Sequence, residues 1–237
     1  APWHKKCGIA SYSEALSKAL AELDAEVYII RIPRFGRKTK GVFQNVARSI
    51  ASDKVDLVHN EHEYGLFKGL EPSFYATLKG LGKPIITTLH AVGFFGIDRV
   101  ISEASDRVIV HNKYCKKRFG HKCAVIPHGC ASVETPPKEQ ARKDLGMPVD
   151  AKYVGYCGFI SQSKGLERLI EAMAKIPRVG LMIGGGGFAG PGTPYIEGLR
   201  QMSASLLSGR CSWRGFVPDG DLPRFYGSLD CVVYPSL

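Results

Sequence analysis

The sequence predicts a doubly wound α/β protein, on three observations. Short β-rich runs alternate with segments of helical periodicity, this alternation starts afresh after a polar, proline-containing stretch, and glycines cluster where strand-type runs end. Residues 13–23 open the pattern, with Ala15, Leu16, Ala19, Leu20 and Leu23 at helical spacing. Residues 27–30, Val-Tyr-Ile-Ile, then read as a buried strand. A helix is predicted over 43–52, a strand over 57–59, a helix over 70–81, and strands over 85–88 and 107–110. Residues 123–129 close this first unit, and the polar stretch 132–138 crosses to a second.

The second unit is predicted to begin with a short helix over 139–145, followed by a strand over 152–157 and a helix over 166–175. A strand over 180–183 runs into the turn Gly184-Gly185-Gly186-Gly187. A helix over 195–207, a strand over 211–213, a helix over 222–226 and a strand over 230–234 complete the order. The expected domains are therefore 1–133 and 134–237, with ligands held in a cleft between the carboxyl ends of two parallel sheets. The alternation also predicts that both units continue beyond the sequence at its two ends.

Composition limits the function classes. With 237 residues, 44% apolar and 23% charged, the chain has the profile of a folded soluble protein, not a disordered, collagenous or disulfide-scaffold one. Neither a run long enough for a membrane span nor a signal-type apolar segment is present. These features predict a cytoplasmic protein, free or peripheral on the cytoplasmic membrane face. The formal charge of +10 favours anionic ligands or surfaces. The basic residues are dispersed, with small clusters at Arg31, Arg34, Arg37, Lys38 and Lys40 and at Lys113, Lys116, Lys117 and Arg118, so nucleic acid is not expected as a partner. The seven cysteines are odd in number and form no C-x-x-C pair, which argues for reduced thiols and against structural zinc. Cys157 and Cys231, inside strand-type runs, are expected to pack as small hydrophobes.

The segment from Tyr153 to Ile170 carries the most chemistry. An apolar strand runs into Gly158-Phe159-Ile160-Ser161-Gln162-Ser163, then Lys164-Gly165, then an amphipathic helix. Unpaired amides and the positive dipole end at a helix start favour a phosphate, and a nearby lysine adds a full charge. Lys164 is thus the first candidate for a contact with a diphosphate. The four-glycine turn lacks the G-x-G-x-x-G spacing of a dinucleotide fingerprint.

Four segments in this order are similar to those of retaining glycosyltransferases of family 4, which have the two-Rossmann GT-B architecture. They are Cys7-Gly8-Ile9-Ala10-Ser11-Tyr12-Ser13, Val125-Ile126-Pro127-His128-Gly129, Gly158 through Lys164-Gly165, and Gly215-Phe216-Val217 through Tyr234-Pro235-Ser236. The resemblance covers nearly the whole chain. It implies transfer of a hexose, such as mannose or glucose, from a nucleotide-sugar donor to an acceptor hydroxyl with retention of configuration. The acceptor would be a sugar, a glycan or a lipid-linked group. No cofactor and no metal is implied. By the same resemblance, Gly8 lets backbone amides approach the donor and Lys164 stabilises the leaving diphosphate. His90, at the end of a strand, contacts the donor sugar. Ser161, Gly165, Gly184, Phe216 and Val217 line the donor, while His62 and Glu63 face the acceptor. Asn112 is a further strand-edge candidate, and His128-Gly129 is expected to serve as hinge geometry.

The sequence departs from the family pattern twice. Phe159 stands where the family commonly has an arginine, and the E-x(7)-E element expected shortly after Pro235-Ser236 is not in the sequence. Those departures leave two other readings in view, a non-catalytic nucleotide-sugar-binding or scaffold protein and another GT-B enzyme such as a nucleotide-sugar epimerase.

Overall fold

A computed structural model describes residues 8–32, 40–50, 55–67, 69–93, 95–117, 119–130, 132–187 and 193–236. Cys7, residues 51–54, and Arg34, Arg37, Lys38 and Arg118 of the basic clusters lie outside the described residues, as does the side chain of Lys40. The chain divides into two compact units, Ala1–Cys130 and Ala131–Leu237.

The first unit runs α1 (Gly8–Ala21), α2 (Lys40–Ile50), β1 (Val58–His62), α3 (Tyr64–Phe67), α4 (Glu71–Lys79), β2 (Ile85–Leu89), α5 (Phe95–Ala104), β3 (Arg107–Val110), α6 (Lys113–Lys116) and β4 (Cys123–Val125). Its four strands form a parallel sheet in the order β1-β2-β3-β4, with Val58 opposite Ile85, Ile86 opposite Arg107 and Val108 opposite Cys123. All strand ends therefore point the same way. Phe43, Phe67, Phe74, Leu78, Ile101 and Val108 are buried together as its core. A polar chain crosses that core without an orphan: Asn60 donates to the Tyr75 hydroxyl at 2.7 Å, which lies 3.2 Å from Thr87 Oγ1, itself 2.8 Å from Ser105 Oγ.

The second unit runs α7 (Lys138–Asp144), β5 (Lys152–Cys157), α8 (Leu166–Ala174), β6 (Val179–Gly184), α9 (Pro194–Leu207), β7 (Cys211–Gly215), α10 (Leu222–Gly227) and β8 (Cys231–Val232). Its parallel sheet has the order β7-β6-β5-β8. Because β6 is central, it reads as a continuous apolar run and serves both faces. Leu181 and Ile183 pack with Leu166, Ile170 and Leu207, whereas Met182 packs with Met147, Phe225 and Leu229.

Most of the predicted elements occur; α3 and α6 are not predicted, the strand predicted over 230–234 spans only Cys231–Val232, and there are further differences. Residues 27–30 are irregular, not a strand, and Val27, Tyr28 and Ile29 are exposed. Their β-branched composition is not enough, since among the described residues no strand pairs with them to supply the ladder. Helix α5 falls where no helix is predicted, although Ile97, Val100, Ile101 and Ala104 hold helical spacing and pack onto the core. Strand β1 extends to His62, so that residue is not in a loop. Cys231 is exposed and not packed as a small hydrophobe; Cys157 is half-buried, and burial raises its thiol pKa. Among the described residues no helix is long and apolar enough to cross a membrane.

Candidate functional site

In the first unit the chemistry sits at the carboxyl edge of the sheet. His90 directly follows β2, His111 directly follows β3 and His128 lies three residues past β4. Parallel pairing of those strands delivers the three rings to one place. The His111 and His128 rings stack with centroids 3.6 Å apart, His90 lies 5.1 Å from His111 and 5.7 Å from His128, and Tyr12 of α1 sets its ring edge-on to all three. Glu61 of β1 stands behind them. Its carboxylate is 2.9 Å from His90 Nε2 and 3.3 Å from His59 Nε2, and His59 Nε2 also meets Thr88 Oγ1 at 2.8 Å. Burial lowers the pKa of His59, an effect the Glu61 charge opposes. The Tyr12 hydroxyl is raised by burial and then by the same carboxylate.

The other expected residues of this unit fall differently. His62 has no exposed surface: it ends β1 inside the core, stacked on Phe67 and 3.7 Å from buried Glu71. That corrects its placement at an acceptor-facing loop, because the one-step alternation of a strand turns position 62 inward with 58 and 60. Glu63 is half-buried just beyond the strand. Gly8 starts α1 with open space where a side chain would stand. Asn112 caps α6, its side chain accepting the Cys115 amide at 2.8 Å, which accounts for it structurally. A cavity of about 640 Å3 in this unit reaches His59 and Glu61 and is otherwise lined largely by apolar groups, among them Leu16, Leu20, Ile29, Val58 and Phe74. The residues that sequence reasoning missed here are Tyr12, Glu61 and His111; a histidine directly after the strand run 107–110 was the available signal for His111.

In the second unit β6 and β8 flank β5, so the chain leaves β5 to one side and returns on the other. Such a switch point opens a crevice at the carboxyl ends of the two diverging strands. The segment 158–165 leaves β5 at that point. It is held by its neighbours: Gly158 N–H bonds Gly184 O at 3.1 Å, Ile160 N–H bonds Gly186 O at 3.1 Å, Tyr156 donates to Phe159 O at 2.6 Å, and Tyr234 donates to Cys157 O at 3.0 Å. Burial pushes the Tyr156 hydroxyl up to about 12, so it stays a donor at neutral pH.

Ser161 and Ser163 are exposed with their hydroxyls 3.0 Å apart. Lys164 is half-buried, and among the described residues no carboxylate pairs with it. Gly165 takes φ +65, a left-handed conformation that lets the chain turn from Lys164 straight into α8. No side chain caps α8, so the amides of Leu166 and Glu167 are left without a cap, while Arg168 and Leu169 N–H turn back to Gly165 O. Gly184 is buried, and a Cβ there would meet Val217 and Phe225 at 2.8 and 2.9 Å; the bare backbone serves the protein's own packing. Val217 is half-buried against it, while Phe216 is exposed. Phe159 is also exposed. Asp219-Gly220-Asp221 is an Asp-x-Asp spacing that a reading without metal leaves out of account; it forms a tight turn, with Arg224 3.8 Å from Asp221.

Comparison with known proteins addresses this second unit most directly. Residues 137–237 match the family model of glycosyl transferases group 1. The chain is 31% identical over 100 residues to D-inositol 3-phosphate glycosyltransferase of Mycobacterium ulcerans, covering 42% of the chain and 21% of that protein. The chain thus spans about a fifth of the curated relative it matches. Over the larger part of the chain, similar solved structures are Anabaena HepE in complex with UDP and glucose (TM-score 0.71, 20% identity, 94% of this chain and 64% of that one) and sucrose-phosphate synthase from Thermosynechococcus elongatus (TM-score 0.66, 18% identity, 97% and 70%). These likenesses establish the α/β GT-B fold. The segment 158–165, with Lys164 and the open start of α8, lies wholly inside the group 1 match.

Proposed function

We propose that the chain is the donor-binding and acceptor-binding framework of a retaining hexosyltransferase that uses a nucleotide sugar. The observation that carries this reading is Lys164, a lysine with no carboxylate partner among the described residues, beside a helix start without a side-chain cap at the switch point of a parallel sheet. Its charge and the α8 amides would bind the diphosphate and gain strength as negative charge builds on the bridging oxygen during departure. Ser161 and Ser163 offer hydroxyls to the same group. The transfer step itself then requires no metal. Support for a UDP-type donor comes from HepE, whose structure holds UDP and glucose. His90 would contact the donor sugar and Glu63 the acceptor. The acceptor is a sugar, a glycan or a lipid-linked hydroxyl, and the basic charge suits work on an anionic membrane surface on the cytoplasmic side.

Calorimetric titration with UDP, GDP and ADP, followed by assays of nucleoside-diphosphate release from the matching sugars, tests the reading. Lys164→Ala is expected to weaken the preferred diphosphate about tenfold or more, as for loss of one charge-assisted hydrogen bond. Unchanged affinity would remove Lys164 from the site. The exposure of Phe159 in place of a cation favours one second reading, a binding protein without transfer, which tight binding with no turnover of any sugar would support.

A further inference from the structure

We propose that His90, His111 and His128 form a three-histidine site for a divalent transition metal of the zinc class. The argument concerns ligand chemistry in the first unit, and it shares His90 with the donor reading, so a metal held there would take the ring otherwise placed against the sugar. One ring nitrogen from each of the three lies within 4.8 Å of the others. Tetrahedral zinc at ~2.0–2.1 Å from each nitrogen needs those atoms roughly 3.4 Å apart. Two imidazoles on one tetrahedral ion have their centroids about 5 Å apart, so the 3.6 Å stack of His111 on His128 has to open as the metal enters.

On two of the rings the hydrogen-bond partner decides which nitrogen keeps its lone pair. His111 Nδ1 lies 2.9 Å from the Ile126 carbonyl, which can only accept, so Nδ1 carries the proton and Nε2 keeps a lone pair. That Nε2 is buried and has no hydrogen-bond partner. His90 Nε2 faces the Glu61 carboxylate at 2.9 Å, which leaves Nδ1 as its basic nitrogen. A carbonyl or carboxylate behind each imidazole fixes its tautomer and raises its basicity, the arrangement found around metal-bound histidines. His128 is exposed and supplies the third ring from the segment after β4. Three neutral imidazoles suit zinc, copper or nickel better than magnesium or calcium, and leave a fourth position for water or a small anion.

The test is titration of untagged, metal-free full chain with Co2+, read by visible absorption. The expected result is one tetrahedral cobalt per chain, displaced by Zn2+, without the near-ultraviolet sulfur-to-cobalt band that binding by the free cysteines would give. His111→Gln and His128→Gln should each weaken binding at least tenfold, and Glu61→Gln about tenfold through His90. Circular dichroism of each variant checks that it is folded. Failure of the wild-type chain to bind Co2+, a thiolate band, or equal binding by a folded triple His→Gln variant would overturn the site. Nucleotide affinity measured on the same samples tells this outcome apart from failure of the donor reading.

Discussion

Asp230→Ala should lower the unfolding free energy by about 3 kcal/mol, read as a lower urea midpoint, although the residue lies outside the candidate site. Its carboxylate is the partner of Arg142, which is 4% exposed and reaches Asp230 at 2.6 Å. Arg142 also donates to Ser228 O at 2.9 Å and Val149 O at 2.6 Å, so it joins α7 to the turn before β8. Removing the carboxylate leaves a buried guanidinium uncompensated and orphans the Tyr153 amide, which donates to Asp230 at 2.8 Å. Breaking one side of a fully buried pair typically costs roughly 3–5 kcal/mol; Asp230 keeps a solvent-exposed edge and two carbonyls stay on Arg142, which puts this case at the bottom of that range. Lys138 and Lys152 also approach Asp230 but are more exposed, and add little. Exposed Glu103 makes a useful contrast, because Glu103→Ala breaks only a solvated pair with Arg99 and should not shift the midpoint measurably.

The same cluster sets a pH dependence. Burial raises the Asp230 pKa, but the Lys138 hydrogen bond, the Tyr153 amide and the charges of Arg142 and Lys138 outweigh it and hold the carboxyl well below the usual range. A carboxyl whose folded pKa is depressed contributes stability in full above its ordinary value, near 3.8, and loses it as pH falls further. Acid titration should therefore show the difference between wild type and Asp230→Ala narrowing below about pH 4. A constant difference down to pH 2 would mean that Asp230 acts by packing and not by charge.

Local periodicity made most of this fold legible. Residues 107–110 and 152–157 are β-rich, bounded runs, and their sheet partners lie within one α/β repeat, so sequence and structure coincide there. Residues 27–30 have the same composition but no paired neighbour among the described residues, and propensity without a ladder left them irregular. The candidate site was legible where one segment contains it. Strand, turn, lysine and helix follow in order over 153–170, and Lys164 and Gly165 are placed by that order alone. Tyr12, Glu61, His90, His111 and His128 come from five separate places in the chain; the parallel register of the sheet gathers the last four, and α1 brings Tyr12 to them. His62 shows the converse. A strand boundary read three residues short moved a core histidine into an imagined loop, since inward and outward positions alternate at every residue.

Gly185→Ala should be the most damaging small substitution in the second unit, costing about 3–4 kcal/mol from the sum of a strained backbone and an overpacked contact. Gly185 has φ +125, which side-chain-bearing residues rarely adopt, and an added Cβ would lie 1.8 Å from Gly158 O. Neither backbone is free to retreat. Gly185 N–H is bonded to Gly215 O at 2.5 Å and Gly158 N–H to Gly184 O at 3.1 Å, so relief means breaking the ties among three strand ends. The segment that would move first is 158–165, which carries Lys164. Diphosphate affinity should therefore fall in Gly185→Ala even at temperatures where circular dichroism shows the unit folded, because the lysine and the start of α8 lose their common frame. Gly8→Ala supplies the comparison: its Cβ would enter open space, so stability should be unchanged. If Gly185→Ala matched wild type in both urea midpoint and diphosphate affinity, the close approach of the two glycine backbones could not be what holds the phosphate-facing turn in place.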